Sequence, residues 1–247
     1  MNVKASIIIS TYNNPEWLEK VLWSYECQTE SNFEIVIADD GSGEETKSLI
    51  DTFKSSSSMH IEHVWHEDKG FQKTIILNKA ILASRSDYLI FTDGDCIARA
   101  DFVEMHLRFR EHGLFLSAGY FKLPMPISKL ISEDDIKNQN CFDIGWLKKH
   151  GLKSSFKNNK LTAGPVLARI LNAVTPSNAS WNGHNSSGWK EDLLAVNGFD
   201  ERMQYGGEDR ELGERLFNKG IQSKQLRYSI ICVHLDHARG YVKPEMI

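Results

Sequence analysis

Four apolar runs, separated by three stretches of helical periodicity, fill the first hundred positions and leave little choice of fold. The runs are Ala5 to Ile9, Phe33 to Ala38, Ile61 to Trp65 and Tyr88 to Phe91. Each is continuously apolar or nearly so, as expected of strands covered on both faces. Between them, Pro15 opens a helix with Trp17, Leu18, Val21, Leu22 and Tyr25 on one face. A second helix is predicted over roughly Glu44 to Lys54, and a third carries Ile75, Ile76, Ala80, Ile81 and Ala83. Strands joined by helical crossovers imply a mostly parallel, doubly wound sheet.

The pattern weakens after Pro124. Residues 125 to 160 are lysine-rich and poorly periodic, with isolated Trp146 and Leu147, and read as a flexible loop or lid. Val166 to Val174 follows, then a turn at Pro176 and a Gly/Asn/Ser-rich stretch from Ser177 to Gly188. Helices are predicted over about Lys190 to Val196, ending at Asn197-Gly198, and about Glu208 to Asn218, closed by Gly220. A last strand, Leu226 to Val233, delivers His234 and His237. Neither an internal repeat nor a linker divides the 247 residues, so one domain is expected.

A net charge of −4 argues against a nucleic-acid partner. No run approaches the roughly 18 apolar residues of a membrane span, and the first strand begins within a few residues of Met1. Cys27, Cys96, Cys141 and Cys232 are scattered and read as reduced thiols. A cytoplasmic protein is therefore expected, with at most peripheral contact at the inner face of the membrane through the basic segment around Trp146. The sequons at Asn178 and Asn185 read as chance. No GxGxxG follows the first strand and no GxxxxGK[ST] occurs, so dinucleotide redox and P-loop chemistry fall away.

What remains is a set of polar clusters at strand ends. In an open parallel sheet, ligands bind at the carboxyl ends of the strands. Ser10-Thr11-Tyr12-Asn13, Asp39-Asp40-Gly41-Ser42 and Asp93-Gly94-Asp95 all fall there. Asp93 and Asp95, one residue apart, can face a hard divalent cation such as Mn²⁺ or Mg²⁺ that neutralises a leaving diphosphate. Asp40 can accept from a uracil N3–H, with Tyr12 placed to stack on the base. In Tyr205-Gly206-Gly207-Glu208-Asp209 the carboxylates suit a helix N-terminus, but the paired glycines also allow close approach of a ligand. A carboxylate there can take a proton from an attacking hydroxyl. His234 and His237 lean towards metal binding in such a setting.

Taken together, Ser6 to Asn13, Asp39 to Ser42 and Asp93 to Asp95 resemble family 2 glycosyltransferases of the GT-A fold. Asn197 to Asp200 and Tyr205 to Asp209 are similar to β-1,4-galactosyltransferases and chondroitin-polymerase-type enzymes. The resemblance implies an α/β GT-A domain, Rossmann-like, with a mostly parallel central sheet flanked by helices. Residues 1–100 would be its nucleotide-binding half and 101–247 its acceptor-binding half. It further implies inverting, metal-dependent transfer of a hexose or N-acetylhexosamine, galactose-type favoured, from a UDP-sugar to a saccharide or lipid-linked saccharide, in surface polysaccharide or glycan synthesis. By the same resemblance, Ser10, Tyr12, Asp40, Gly70, Lys73, Asp93 and Gly207 bind the nucleotide-sugar, and Asp95 with His234 or His237 holds Mn²⁺ or Mg²⁺. Asp209 is the catalytic base with Glu208 beside it, and Trp181, Asn185, Trp189 and Tyr205 form the acceptor site. A retaining transferase and a nucleotidyltransferase are the alternatives.

Overall fold

The pleat of the central strands explains how one sheet supports two helical layers. In the computed structural model, which describes residues 3–176 and 179–237, β1 (Ala5–Thr11), β2 (Phe33–Asp39), β3 (His60–Trp65) and β4 (Tyr88–Asp93) are parallel neighbours. Ile7, Ile9, Ile35, Ile37 and Ile90 point to one face, where α1 (Pro15–Glu26), α2 (Glu44–Ser56) and α4 (Phe102–Phe109) cover them. Ile8, Val36, Leu89 and Phe91 point to the other, against α3 (Lys73–Ala83) and residues of later helices.

The sheet continues with three strands absent from the sequence reading: β5 (Cys96–Ala98), β6 (Leu114–Lys122) and β7 (Ser186–Trp189). Together with β8 (Gln222–His234) they give eight strands in the order β3-β2-β1-β4-β7-β6-β8-β5. β7 runs antiparallel to both β4 and β6. β8 begins at Gln222 rather than Leu226, because Gln222 to Gln225 pair with Leu114 to Ser117 of β6. The mostly parallel sheet flanked by helices is the expected fold, with a mixed second half.

The loop expected over residues 125 to 160 is a run of short helices. These are α5 (Met125–Leu130), α6 (Glu133–Lys137), α7 (Ile144–Lys149) and α8 (Asn159–Thr162), with 3₁₀ turns between. None is long enough to show two helical periods, which is why the pattern looks irregular. Ile127, Ile131, Ile136, Phe142 and Leu147 are buried against Trp17, Phe121, Ile231 and Val233. Lys20, itself buried, donates from Nζ to the carbonyls of Ser128 and Lys129 and fixes α5 to α1. Val166 to Val174 belongs to a further helix, α9 (Pro165–Val174), and α10 (Lys190–Ala195) and α11 (Glu208–Asn218) follow the sequence reading closely. Asn178 lies outside the described residues, while Asn185 is fully buried.

Candidate active site

Strand register assembles the first part of the site. Ser10 lies beside Asp93 and Thr11 beside Asp39, so the polar ends of β1, β2 and β4 form one rim. Ser10 Oγ donates to Asp93 Oδ1 at 2.7 Å, and Lys73 Nζ, at the start of α3, donates to the same oxygen at 2.7 Å. Gly94 follows because its N–H donates to the Ser10 carbonyl at 2.7 Å, and a Cβ there would lie 3.0 Å from that oxygen. Burial pushes the Asp93 carboxyl up, but Lys73, Ser10 and His184 together hold it well below the usual range. Burial likewise opposes the Lys73 charge, yet Asp93, Asp209 and Glu208 raise it above an ordinary lysine. The pair is ionised.

Pairing of β5 with β8 sets Cys96 opposite His234 and brings both late histidines to Asp95. His237 Nε2 is 2.9 Å from Asp95 Oδ2, and His234 Nε2 is 3.8 Å from Oδ1. One ligand atom from each of the three residues lies within 4.8 Å of the others. His234 Nδ1 contacts the Leu235 carbonyl at 2.7 Å. A carbonyl only accepts, so Nδ1 carries a hydrogen and Nε2 is the nitrogen that faces Asp95. This donor set, one carboxylate and two imidazoles on one side of a cluster, fits a divalent cation with room for phosphate oxygens.

Asp209 reaches the same region from α11. Gly206 and Gly207 carry φ of 99° and 92°, values that favour glycine, and let the chain turn into the helix. Glu208 closes that turn by accepting the Gly206 N–H at 2.9 Å. Asp209 Oδ2 accepts the Gly183 N–H at 2.8 Å, while Oδ1 is buried and accepts no hydrogen bond among the described residues. Burial, with Asp93 and Glu208 nearby, raises the Asp209 carboxyl to about 6 despite Lys73 and the Gly183 amide.

On the other side of Lys73, Asp39 and Asp40 separate in role. Asp39 is fully buried, accepts the Ser42 N–H at 2.8 Å and shares a hydrogen bond with His63, which makes it structural. Asp40 shares one with His66 at 2.7 Å and accepts the Gln72 N–H at 3.0 Å, so it fastens the 66–72 loop to the rim. Tyr12 is exposed and donates to Asp68 at 2.9 Å. Gly41, with φ of 92°, lies where a Cβ would meet the Asp68 backbone at 2.6 Å. Gly70 borders open space, and Phe71 packs edge-on against Tyr205 with centroids 5.8 Å apart.

Three expected acceptor residues are corrected. Trp181 is 2% exposed, wedged against Phe91 and Phe115 in the core. Asn185 is fully buried, with its amide spent on His106 and on the carbonyls of Gly119 and Ile230. Trp189 pairs with Tyr88, at the opposite end of β4 from Asp93, because β7 runs antiparallel. Only Tyr205 of the four reaches the rim.

The same reversal brings His184 to the site, unforeseen from sequence. Burial pushes its imidazole down to about 4, so it is neutral. Its ring lies 4.4 Å from that of Tyr120, which in turn lies 5.6 Å from the His234 ring. No sequence signal marks it: His184 lies two residues before β7, whose start beside the end of β4 is set by the fold.

A carboxylate–histidine cluster thus lies beside an ionised Lys–Asp pair at the carboxyl rim of a mostly parallel sheet. Residues 6–118 match glycosyl transferase family 2, and residues 174–238 match the family described as the N-terminal domain of galactosyltransferase. The first half of the chain is thus similar to family 2 glycosyltransferases and its C-terminal part to galactosyltransferases. It is 31% identical over 95% of its length to an uncharacterized glycosyltransferase, YfnE, of Bacillus subtilis, covering 65% of that protein. It is 26% identical over 89% of its length to the chondroitin synthase of Pasteurella multocida, covering 23% of it. The chain therefore spans less than two thirds of either relative. Among solved structures, GalNAc-T7 with UDP, GalNAc and Mn²⁺ superposes with a TM-score of 0.67 at 12% identity, covering 96% of this chain and 45% of that one. The mannosyltransferase PcManGT of Pyrobaculum calidifontis, with GDP-Man and Mn²⁺, gives 0.62 at 17%, covering 98% and 59%.

Proposed function

We propose that the chain transfers a hexose or N-acetylhexosamine, galactose-type favoured, from a UDP-sugar to a saccharide hydroxyl with inversion. The acceptor is a free or lipid-linked saccharide of surface polysaccharide or glycan synthesis. The observation that carries the reading is Asp209, whose Oδ1 is buried beside Lys73 and Asp93 and, among the described residues, has no hydrogen-bond donor. A carboxylate raised to about 6, with one oxygen unengaged, is suited to take a proton from an acceptor hydroxyl at neutral pH.

Asp95, His234 and His237 would hold the cation. Two imidazoles favour Mn²⁺ over Mg²⁺, which prefers oxygen ligands. When bound, such an ion supplies charge neutralisation for the departing diphosphate. Lys73 offers a second positive charge to the diphosphate, and Ser10 with Lys73 keeps Asp93 ionised and fixed. Asp40 and Tyr12 border the place for the base, and Gly70 and Gly207 leave backbone accessible there. Asp209 Oδ1 accepts the acceptor proton as the hydroxyl oxygen bonds to the anomeric carbon and the bond to UDP breaks on the opposite face. Glu208 holds the turn that aims Asp209. The likeness to GalNAc-T7, whose structure holds UDP, GalNAc and Mn²⁺, supports a uridine donor.

The test is to incubate the chain with Mn²⁺, a panel of UDP-sugars and saccharide acceptors, following UDP release and product anomeric configuration by NMR. Acceptor-dependent UDP release with inverted product is expected. Pyrophosphate release would overturn the transfer, and retained configuration would overturn Asp209 as base.

A further inference from the structure

Helix α9 is amphipathic the wrong way round for a soluble protein. Its inward side is small and polar. Ala168 is buried, and Asn172 bonds to the Tyr228 N–H and to Ser229 Oγ at 2.9 Å each. Its outward side is apolar, with Val166 76%, Leu167 46%, Ile170 52% and Val174 65% exposed. At 100° per residue these side chains and Ala173 share an arc of about 120°. Phe156, in the turn before α8, adds a ring that is 70% exposed.

The charge around this face is one-sided. From residue 144 to residue 190 the sequence holds no Asp or Glu, whereas Lys148, Lys149, Lys153, Lys157, Lys160 and Arg169 fall between 144 and 176, in a chain of net −4. All but Lys160 are exposed. Lys160 turns inward, donating to the Tyr120 carbonyl at 2.8 Å and lying over its ring at 5.1 Å. Tyr120 flanks His234, so α9 starts a few residues from a segment anchored at the metal rim.

We propose that α9 and the basic segment before it dock on an anionic lipid bilayer. The aliphatic face enters the headgroup–acyl boundary while Lys153, Lys157 and Arg169 meet acidic headgroups. That combination of apolar area and attraction to anionic lipid is what holds interfacial helices at a membrane. Among the described residues no helix is long and apolar enough to cross a membrane, so the contact is peripheral. Docking in this orientation sets the metal rim near the surface, which suits an acceptor carried on lipid. The proposal rests on the exposed face and its charge and does not depend on the reaction.

Flotation of the purified chain with vesicles tests it. Vesicles of phosphatidylcholine mixed with phosphatidylglycerol should carry the chain upward, and pure phosphatidylcholine should not. Ile170→Glu with Val174→Glu should lower partitioning by about tenfold or more, the order expected for losing one buried aliphatic side chain. Lys153→Glu with Lys157→Glu should lower it as well, and the wild type should release as salt rises. All four side chains face solvent, so melting temperature and turnover with a water-soluble acceptor should stay at wild-type values. The proposal is overturned by absence of flotation with either vesicle. Equal flotation of the Ile170→Glu, Val174→Glu variant would also overturn it. So would a wild-type dimer that this variant converts to monomer without any vesicle binding.

Discussion

Replacing Asp209 by asparagine separates catalysis from stability, because the same environment drives them in opposite directions. Raising the carboxyl from 3.8 to about 6 corresponds to about 3 kcal/mol of disfavoured ionisation. Between those values the unfolded chain has lost its proton while the folded chain keeps it, so this group's contribution to stability falls as pH rises through that window. Above about pH 6 the full penalty is present. The asparagine side chain would carry no charge to disfavour, although it would also lose the attraction of Lys73. A net gain of about 1 kcal/mol at pH 7.5 is expected, equivalent to about 2–4 °C in melting temperature for a chain of this size. At pH 4, where the wild-type carboxyl is protonated, the two proteins should melt together. Turnover should move the other way, falling by about 10²–10⁴ at pH 7.5. In the wild type, log kcat/KM should rise with unit slope below about pH 6 and level off above. Thermal melts at both pH values, with the transfer assay, check each arm. A variant that is active, or that is less stable than wild type at pH 7.5, would refute the assignment of Asp209 as a buried, unsatisfied base.

Gly94→Ala should destabilise by about 1–3 kcal/mol, since the added methyl meets the Ser10 carbonyl at 3.0 Å and Thr11 Oγ1 at 3.2 Å, and should weaken Mn²⁺–UDP binding by shifting both aspartates. Calorimetry with UDP and a melt decide it, and wild-type values in both would contradict the packing. Trp181→Ala should cost about 3–5 kcal/mol as a core truncation. The milder Trp181→Phe should leave acceptor KM unchanged, whereas a raised KM without loss of stability would restore Trp181 to the acceptor site. Gly41→Ala, strained at φ of 92° and blocked by the Asp68 backbone, should disorder the 66–72 loop and reduce UDP affinity, readable by the same calorimetry.

The first four strands and first three helices are legible because each apolar run is long enough, and each crossover helix periodic enough, to declare its type, whereas the three-residue β5 is too short to do so. Asp93, Asp95 and Ser10 are legible for a related reason: in a parallel sheet, the end of every strand lies on one rim. Past Pro124 that rule fails. The helices of the 125–160 segment are too short to display a period, and their burial depends on Trp17 and Phe121, distant in sequence. β7 is Ser-Ser-Gly-Trp, with no apolar alternation to mark it, and its antiparallel direction inverts the placement of its ends. Trp189 consequently falls at the end of the sheet away from the site, and His184 at the end beside it. Trp181 misleads for a different reason, since an aromatic near glycines and asparagines looks like a sugar platform until the neighbouring strands enclose it.

Whether Asp95 and the two late histidines hold one cation for a nucleotide diphosphate decides the rest. Electron paramagnetic resonance of Mn²⁺, titrated into the chain with UDP, measures this directly because protein binding removes the free-ion signal. The wild-type chain should take up one Mn²⁺ in a UDP-dependent manner, His234→Ala and His237→Ala should each weaken uptake by about tenfold or more, and Asp95→Ala should abolish it. Mn²⁺–UDP binding of wild-type strength in Asp95→Ala would place the metal elsewhere.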